Sequence, residues 1–194
     1  MEYRLDKEGL LNILSLWNQF LKRKVHLIAC GGTALTLQDI KSSTKDADFI
    51  IPKEGEYKYL IKTIQDLGYK IRTGSGWQKP EEPYIFDLYL GKRIHTTELL
   101  ESPLDKENHI LIKELQHLYL GALNHYDLII SKLFRGAAVD FEDCLALAKA
   151  KGKEIDFNKL EARFKETASY DISEDKILKH WDSFKSLLKK EKIL

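Results

Sequence analysis

Apolar positions along the chain fall into two rhythms, a helical one of three and four residues and a strand-like one of short unbroken or alternating runs. Leu10, Leu11, Ile13, Leu14, Trp17, Phe20 and Leu21 predict an amphipathic helix over 6–22. The run Val25–Ala29 predicts a strand, and 33–40 a short helix. A second strand is expected over 48–51, closed by Pro52, which cannot donate to a ladder. Tyr57, Leu60, Ile61, Ile64 and Leu67 give another helical stripe that Gly68 ends as a C-cap. Strands follow at 69–73 and 84–90, with Gly74-Ser75-Gly76, Pro80 and Pro83 marking a loop between them.

The rhythm changes near Ser102. Over 110–119 the positions of Ile112, Leu115 and Leu118 fit neither period. Helices are then expected over 126–135, 141–150, 157–167 and 173–190, punctuated by Gly136 and Gly152. The pattern predicts an α/β region over 1–104 and a mainly helical region over 105–194. In the last helix Lys176, Lys179, Lys185, Lys189, Lys190 and Lys192 interleave with Trp181, Phe184, Leu187 and Leu188. That reads as a solvated face over a packed stripe before it reads as a face for RNA phosphates.

Composition narrows the classes. A chain of 194 residues with 43% hydrophobic and 31% charged side chains suits one ordinary domain or two small ones. A net charge of +1 gives no global field for nucleic acid. Two cysteines, Cys30 and Cys144, make no disulfide scaffold. Asp6, Lys7 and Glu8 stand where a signal peptide would be apolar, and no run approaches the roughly 18 residues of a membrane span. A soluble, cytoplasmic protein with no membrane partner is expected. The six histidines lack metal-ligand spacing with cysteine, and His117 and His125, eight apart, would share a helix face without completing a ligand set.

The chemistry concentrates in residues 30–51. Gly31-Gly32-Thr33 follows the first strand and opens a helix, where free N–H groups and the dipole favour an anion and glycine lets backbone approach a phosphate. Thr33 either binds a phosphate or caps the helix. Asp46 and Asp48 are expected to begin the next strand, with their carboxylates side by side because i and i+2 share a face. Such a pair is costly without a cation, and its hard oxygens suit Mg²⁺ together with phosphate oxygens. Asp87, alone in the apolar strand Tyr84-Ile85-Phe86-Asp87-Leu88-Tyr89-Leu90, either lies at an exposed strand edge, or pairs with Lys92 or Arg93, or joins Asp46 and Asp48. A trio would hold Mg²⁺ and leave one carboxylate to activate an acceptor hydroxyl. These residues point to a site for a metal-bound nucleoside triphosphate.

An apolar strand, Gly-Gly, a short helix, Thr44-x-Asp46-x-Asp48 and a later strand aspartate resemble the DNA polymerase β-like nucleotidyltransferase superfamily. Further on, Asp127-Leu128-Ile129-Ile130-Ser131-Lys132-Leu133-Phe134-Arg135 and Val139-Asp140-Phe141-Glu142-Asp143-Cys144-Leu145 resemble the Lys…Arg…Asp-x-x-Asp signature of the prokaryotic subgroup that includes abortive-infection toxins. The resemblance implies a mixed sheet flanked by helices with a helical C-terminal region. It also implies Mg²⁺-dependent transfer of a nucleoside monophosphate from an NTP to an RNA, protein or small-molecule hydroxyl. Acceptors would include a tRNA 3′ end or a partner protein, and an antitoxin-like partner would accompany a toxin role. By position, Gly31 and Gly32 would cradle the triphosphate, with Thr33 beside them. Asp46, Asp48 and Asp87 would bind the metal, with Asp87 alternatively a base. Lys132 would meet a triphosphate oxygen, Asp140 would orient it or touch the nucleotide, and Arg135 shares its helix face. Without a nucleotide, Lys132, Arg135, Asp140 and Asp143 would be a salt-bridged helical hairpin. The other function class is a non-catalytic nucleotide-binding or partner-binding module on the same fold.

Overall fold

The computed structural model describes residues 3–194. Helix α1 (Lys7–Phe20) starts at Asp6, whose carboxylate accepts the Gly9 N–H at 2.8 Å, and buries Leu10, Leu14 and Trp17. Then come β1 (Val25–Ala29), α2 (Gly31–Leu37), β2 (Ala47–Ile51), α3 (Glu54–Asp66), β3 (Lys70–Thr73), β4 (Gly76–Gln78) and β5 (Phe86–Leu90). A small ribbon, β6 (Arg93–Ile94) and β7 (Thr97–Glu98), precedes the hairpin β8 (His109–Glu114) and β9 (Leu118–Leu123). Helices α4 (His125–Arg135), α5 (Ala138–Lys151), α6 (Phe157–Ala168) and α7 (Glu174–Lys190) complete the chain. No described helix is long and apolar enough to cross a membrane.

The chain divides into two compact units. The first takes the chain up to Arg93 together with Glu101–Leu123, and the second takes Ile94–Leu100 and Asn124–Leu194. The first unit is built on a seven-stranded mixed sheet in the order β3-β4-β5-β2-β1-β9-β8. β1 runs antiparallel to β2 but parallel to β9, and β2 runs parallel to β5. The central strands β1 and β2 are apolar runs, buried nearly throughout because both faces are covered. On one side Trp17 packs against Phe86 (ring centroids 4.7 Å apart) and edge-on to Tyr69 (5.5 Å), and Phe86 stacks on Phe49 (6.4 Å).

The hairpin β8–β9 explains why 110–119 fits neither period. β8 is an edge strand with a register shift between Leu111 and Lys113, so its alternation breaks and Leu111 is left exposed. His117 lies in the turn before β9 and His125 opens α4, so they do not share a helix face. A second difference is β4, which rises from the expected Gly/Pro loop because Trp77 is apolar enough to be buried opposite Phe86. α2 starts two residues earlier than periodicity alone placed it, at the glycines themselves.

In the second unit an aromatic series, Phe134–Phe164–Trp181–Phe184, joins α4, α6 and α7. The Arg163 guanidinium spans both carboxylate oxygens of buried Asp127, at 2.9 and 3.1 Å, fixing α6 on α4. Gly136 ends α4 at φ +67°, and a Cβ there would stand 2.2 Å from the His180 ring, so no other residue fits.

Candidate active site

Within the first unit, the end of β1, the opening of α2 and the start of β2 are knotted together by backbone groups. The Cys30 N–H donates to the Asp48 carbonyl at 3.1 Å. The Asp48 N–H in turn donates to the Thr33 hydroxyl at 2.8 Å, and that hydroxyl donates to the Asp46 carbonyl at 3.1 Å. Thr44 donates to the same carbonyl at 3.0 Å. Thr33 is fully buried, so its hydroxyl neither caps α2 nor faces solvent: it ties the helix to the strand that carries Asp48. This tie is a role that neither of the two readings open to Thr33 from sequence describes.

The glycines are required by close approach. A Cβ on Gly31 (φ +57°) would meet Asp48 Oδ2 at 2.8 Å, and one on Gly32 would meet Thr44 Oγ1 at 2.7 Å. The Asp48 carboxylate can therefore lie where it does only because Gly31 has no side chain. α2 is only seven residues long, so what it presents to an anion is close-range N–H groups rather than a long helix dipole. Gly31→Ala is expected to lose about 1–2 kcal/mol from the left-handed backbone alone, with Asp48 displaced as well. Gly55→Ala, where nothing lies within 4 Å, serves as the benign comparison. Denaturant titrations of both variants check this, and equal stability would contradict it.

Asp48 and Asp87 are direct partners in the parallel register of β2 and β5, so both carboxylates leave the same face. β5 is an interior strand, flanked by β4 and β2, which removes the exposed-edge reading of Asp87. Its Oδ1 accepts a hydrogen bond from the Ser75 hydroxyl at 2.8 Å. Asp46 differs from expectation: it sits in the bend before β2, solvent-exposed, and not on the strand. The reason is local. Thr44 is held by an antiparallel bridge to Leu5, and the two threonine hydroxyls draw the Asp46 carbonyl inward, so strand pairing starts only at Ala47. Among the described residues no three His, Cys, Asp or Glu side chains are gathered closely enough to hold a metal.

Two residues that the sequence reading does not single out belong here. Tyr89 stands two places after Asp87 on the same face, and burial pushes its phenol up, with the negative charge of Asp48 and Asp87 acting in the same direction. It therefore remains a neutral O–H. Ser75 is the other, and only its place in a Gly-Ser-Gly turn hinted at a close contact.

The downstream motif lies in the second unit and forms an ion cluster. Lys132, 3% exposed, places Nζ 2.6 Å from Asp143 Oδ2 and 3.6 Å from Asp140 Oδ1. Asp140, fully buried, also accepts from Arg135 Nε at 2.8 Å and from the Ala137 N–H at 3.1 Å. The residues are thus brought together as a salt-bridged hairpin, and it is buried rather than superficial. Burial alone would raise the Asp140 carboxyl, but the hydrogen bonds and charge of Arg135, then Lys132 and Ala137, hold it below the usual carboxylate range. A depressed folded value means its stabilisation is complete above the unfolded value near ~3.9 and is lost as pH falls through the lower folded one. Asp140→Asn is therefore expected to be less stable than the native chain at pH 7, with the gap closing in melts taken progressively below about pH 4.

The mixed sheet with its carboxylate-bearing strands is a nucleotidyltransferase fold. The chain belongs to the DUF6036 family, described as nucleotidyltransferases of unknown function, which it matches over residues 8–191. No curated protein matches the sequence. Among solved structures, the lincomycin-bound lincosamide antibiotic adenylyltransferase LnuA is similar at 15% identity and a TM-score of 0.52, covering 75% of this chain and 98% of its own. ANT(2″)-Ia in complex with adenylyl-2″-tobramycin is similar at 16% identity and a TM-score of 0.55, covering 84% and 97%. At these identities the likeness is one of fold.

Proposed function

We propose that this protein transfers a nucleoside monophosphate from an NTP to a hydroxyl acceptor in a Mg²⁺-dependent reaction. The observation that carries the reading is the in-register pairing of Asp48 with Asp87, with the Asp48 carboxylate set directly against Gly31. Mg²⁺ takes one or two carboxylates and fills its other positions with phosphate oxygens and water, and this paired donor set fits that demand. Asp48 and Asp87 are the pair that would hold the ion, with Asp46 in the exposed bend beside them as the third candidate, and the ion would supply charge neutralisation on the triphosphate. Gly31 and Gly32 admit the phosphates to the backbone, and Thr33 and Thr44 fix the Asp46–Asp48 segment so that little reorganisation accompanies binding. The buried cluster of Lys132, Asp140 and Asp143 supports a structural role for the downstream motif. It carries no argument for an antitoxin-like partner, so the toxin role forms no part of the proposal.

The two adenylyltransferases that share the fold are named for antibiotic substrates, so small-molecule hydroxyls join RNA and protein as acceptor pools to be tested. Purified protein with Mg²⁺ and each α-³²P-labelled NTP, given total RNA, cell lysate or an aminoglycoside and lincosamide mixture, should move label onto one pool and release pyrophosphate. NTP-dependent thermal stabilisation without label on any pool would instead indicate a nucleotide-binding module.

A further inference from the structure

The turn between β3 and β4 is set against the site with unusual economy. Thr73 and Gly76 are paired across the hairpin, leaving Gly74-Ser75 as a two-residue connection with Gly74 at φ +39°. Gly76 is the direct partner of Asp87 in the β4–β5 ladder, and a Cβ there would press at 3.0 Å on Ile85 and on Thr73. Ser75 is consequently held at both ends. Its carbonyl accepts the Leu88 N–H at 3.0 Å, while its hydroxyl donates to Asp87 Oδ1 at 2.8 Å. The Ser75 hydroxyl and Asp87 Oδ1 are thus held together by a tight turn on one side and by sheet register on the other.

We propose that Ser75 is a positioning residue for Asp87: its hydroxyl holds Oδ1 and so fixes the orientation of a carboxylate that would help hold a divalent ion. The inference rests on the nucleotidyltransferase reading of the site and adds to it one residue from outside the aspartate motif. Partners of this kind behind a metal-binding carboxylate set its orientation, and their loss commonly weakens metal affinity about 10–100-fold.

The test uses Mn²⁺ as the probe, titrated by electron paramagnetic resonance into the full chain with a non-hydrolysable ATP analogue, so that no acceptor is needed. Ser75→Ala should weaken Mn²⁺ binding by about 10-fold or more. In the Asp87→Asn background, Ser75→Ala should add nothing, because the group it orients is gone. Melting curves identify any variant that fails to fold. Unchanged Mn²⁺ affinity in Ser75→Ala, or equal losses with and without Asp87, would overturn the positioning role alone. A native chain that binds no Mn²⁺ with the analogue would overturn both this role and the reading beneath it.

Discussion

Asp48→Asn is expected to abolish nucleotidyl transfer while leaving the protein as stable as before, or slightly more so. The carboxylate stands beside Asp87 in register, two like charges on neighbouring strands of one face. Like charges directly opposite in a sheet destabilise it by up to about 1 kcal/mol, so removing one relieves a strain that the fold otherwise bears. The amide keeps the size of the side chain, and the main-chain bonds of residue 48, to Cys30 and to the Thr33 hydroxyl, do not depend on the carboxylate. Loss of a carboxylate that would hold the charge-neutralising ion is expected to remove about 3–4 kcal/mol of transition-state stabilisation, or two to three orders of magnitude in rate. Label-transfer rates and melting curves on the same preparation read both effects. A variant that loses activity and melts much earlier would show that Asp48 holds the fold, and one that keeps its activity would remove Asp48 from the chemistry.

Lys132→Met is expected to act in the opposite sense, through stability. The ammonium lies between two buried carboxylates, and its removal leaves Asp143 without the partner at 2.6 Å. Breaking a buried pair on one side costs about 3–5 kcal/mol, because the surviving carboxylate has lost its counter-charge. Asp140 keeps the Arg135 guanidinium and the Ala137 N–H. The double change Lys132→Met with Asp143→Leu should recover much of it, since apolar side chains of similar volume satisfy such a place at least as well as an ion pair. Denaturant titrations of the native chain, both single variants and the double variant close the cycle. Additive losses would mean that Lys132 and Asp143 contribute independently and that the pair is not the unit of stability.

The central elements were legible in the sequence for a physical reason. Val25–Ala29 and the apolar residues after Asp48 are buried on both faces, so their patterns admit no other reading, and the helices of the second unit bury clean stripes around Leu133, Leu160, Trp181 and Phe184. At the periphery the pattern loses its grip. β8 is an edge strand with a bulge, β4 is three residues between glycine and proline signals, and neither can show a period. In the site, the sequence offered a meeting of Asp48 and Asp87 only on the condition that their strands were neighbours, a condition the sheet order meets. The bend at Asp46 did not, because it depends on a bridge from Thr44 to Leu5, nearly forty residues away in sequence. Thr33 stood out as a candidate site residue, but its tie between helix and strand did not, since its two hydrogen bonds run to backbone groups that carry no sequence signal.

The order of strands in the sheet also bears on how the chain reaches its native state. β1 carries the turn to Gly31, yet one of its two neighbours is β9, which is not made until residues 118–123. Pairings between such distant segments form late and slow the folding of mixed sheets. During synthesis, the glycine turn and Asp48 emerge long before the strand that closes their sheet on that side. A fragment ending near residue 104 would leave β1 with an open apolar edge, a template for association with other chains. The site is therefore encoded early in the chain and completed only when the hairpin far downstream arrives.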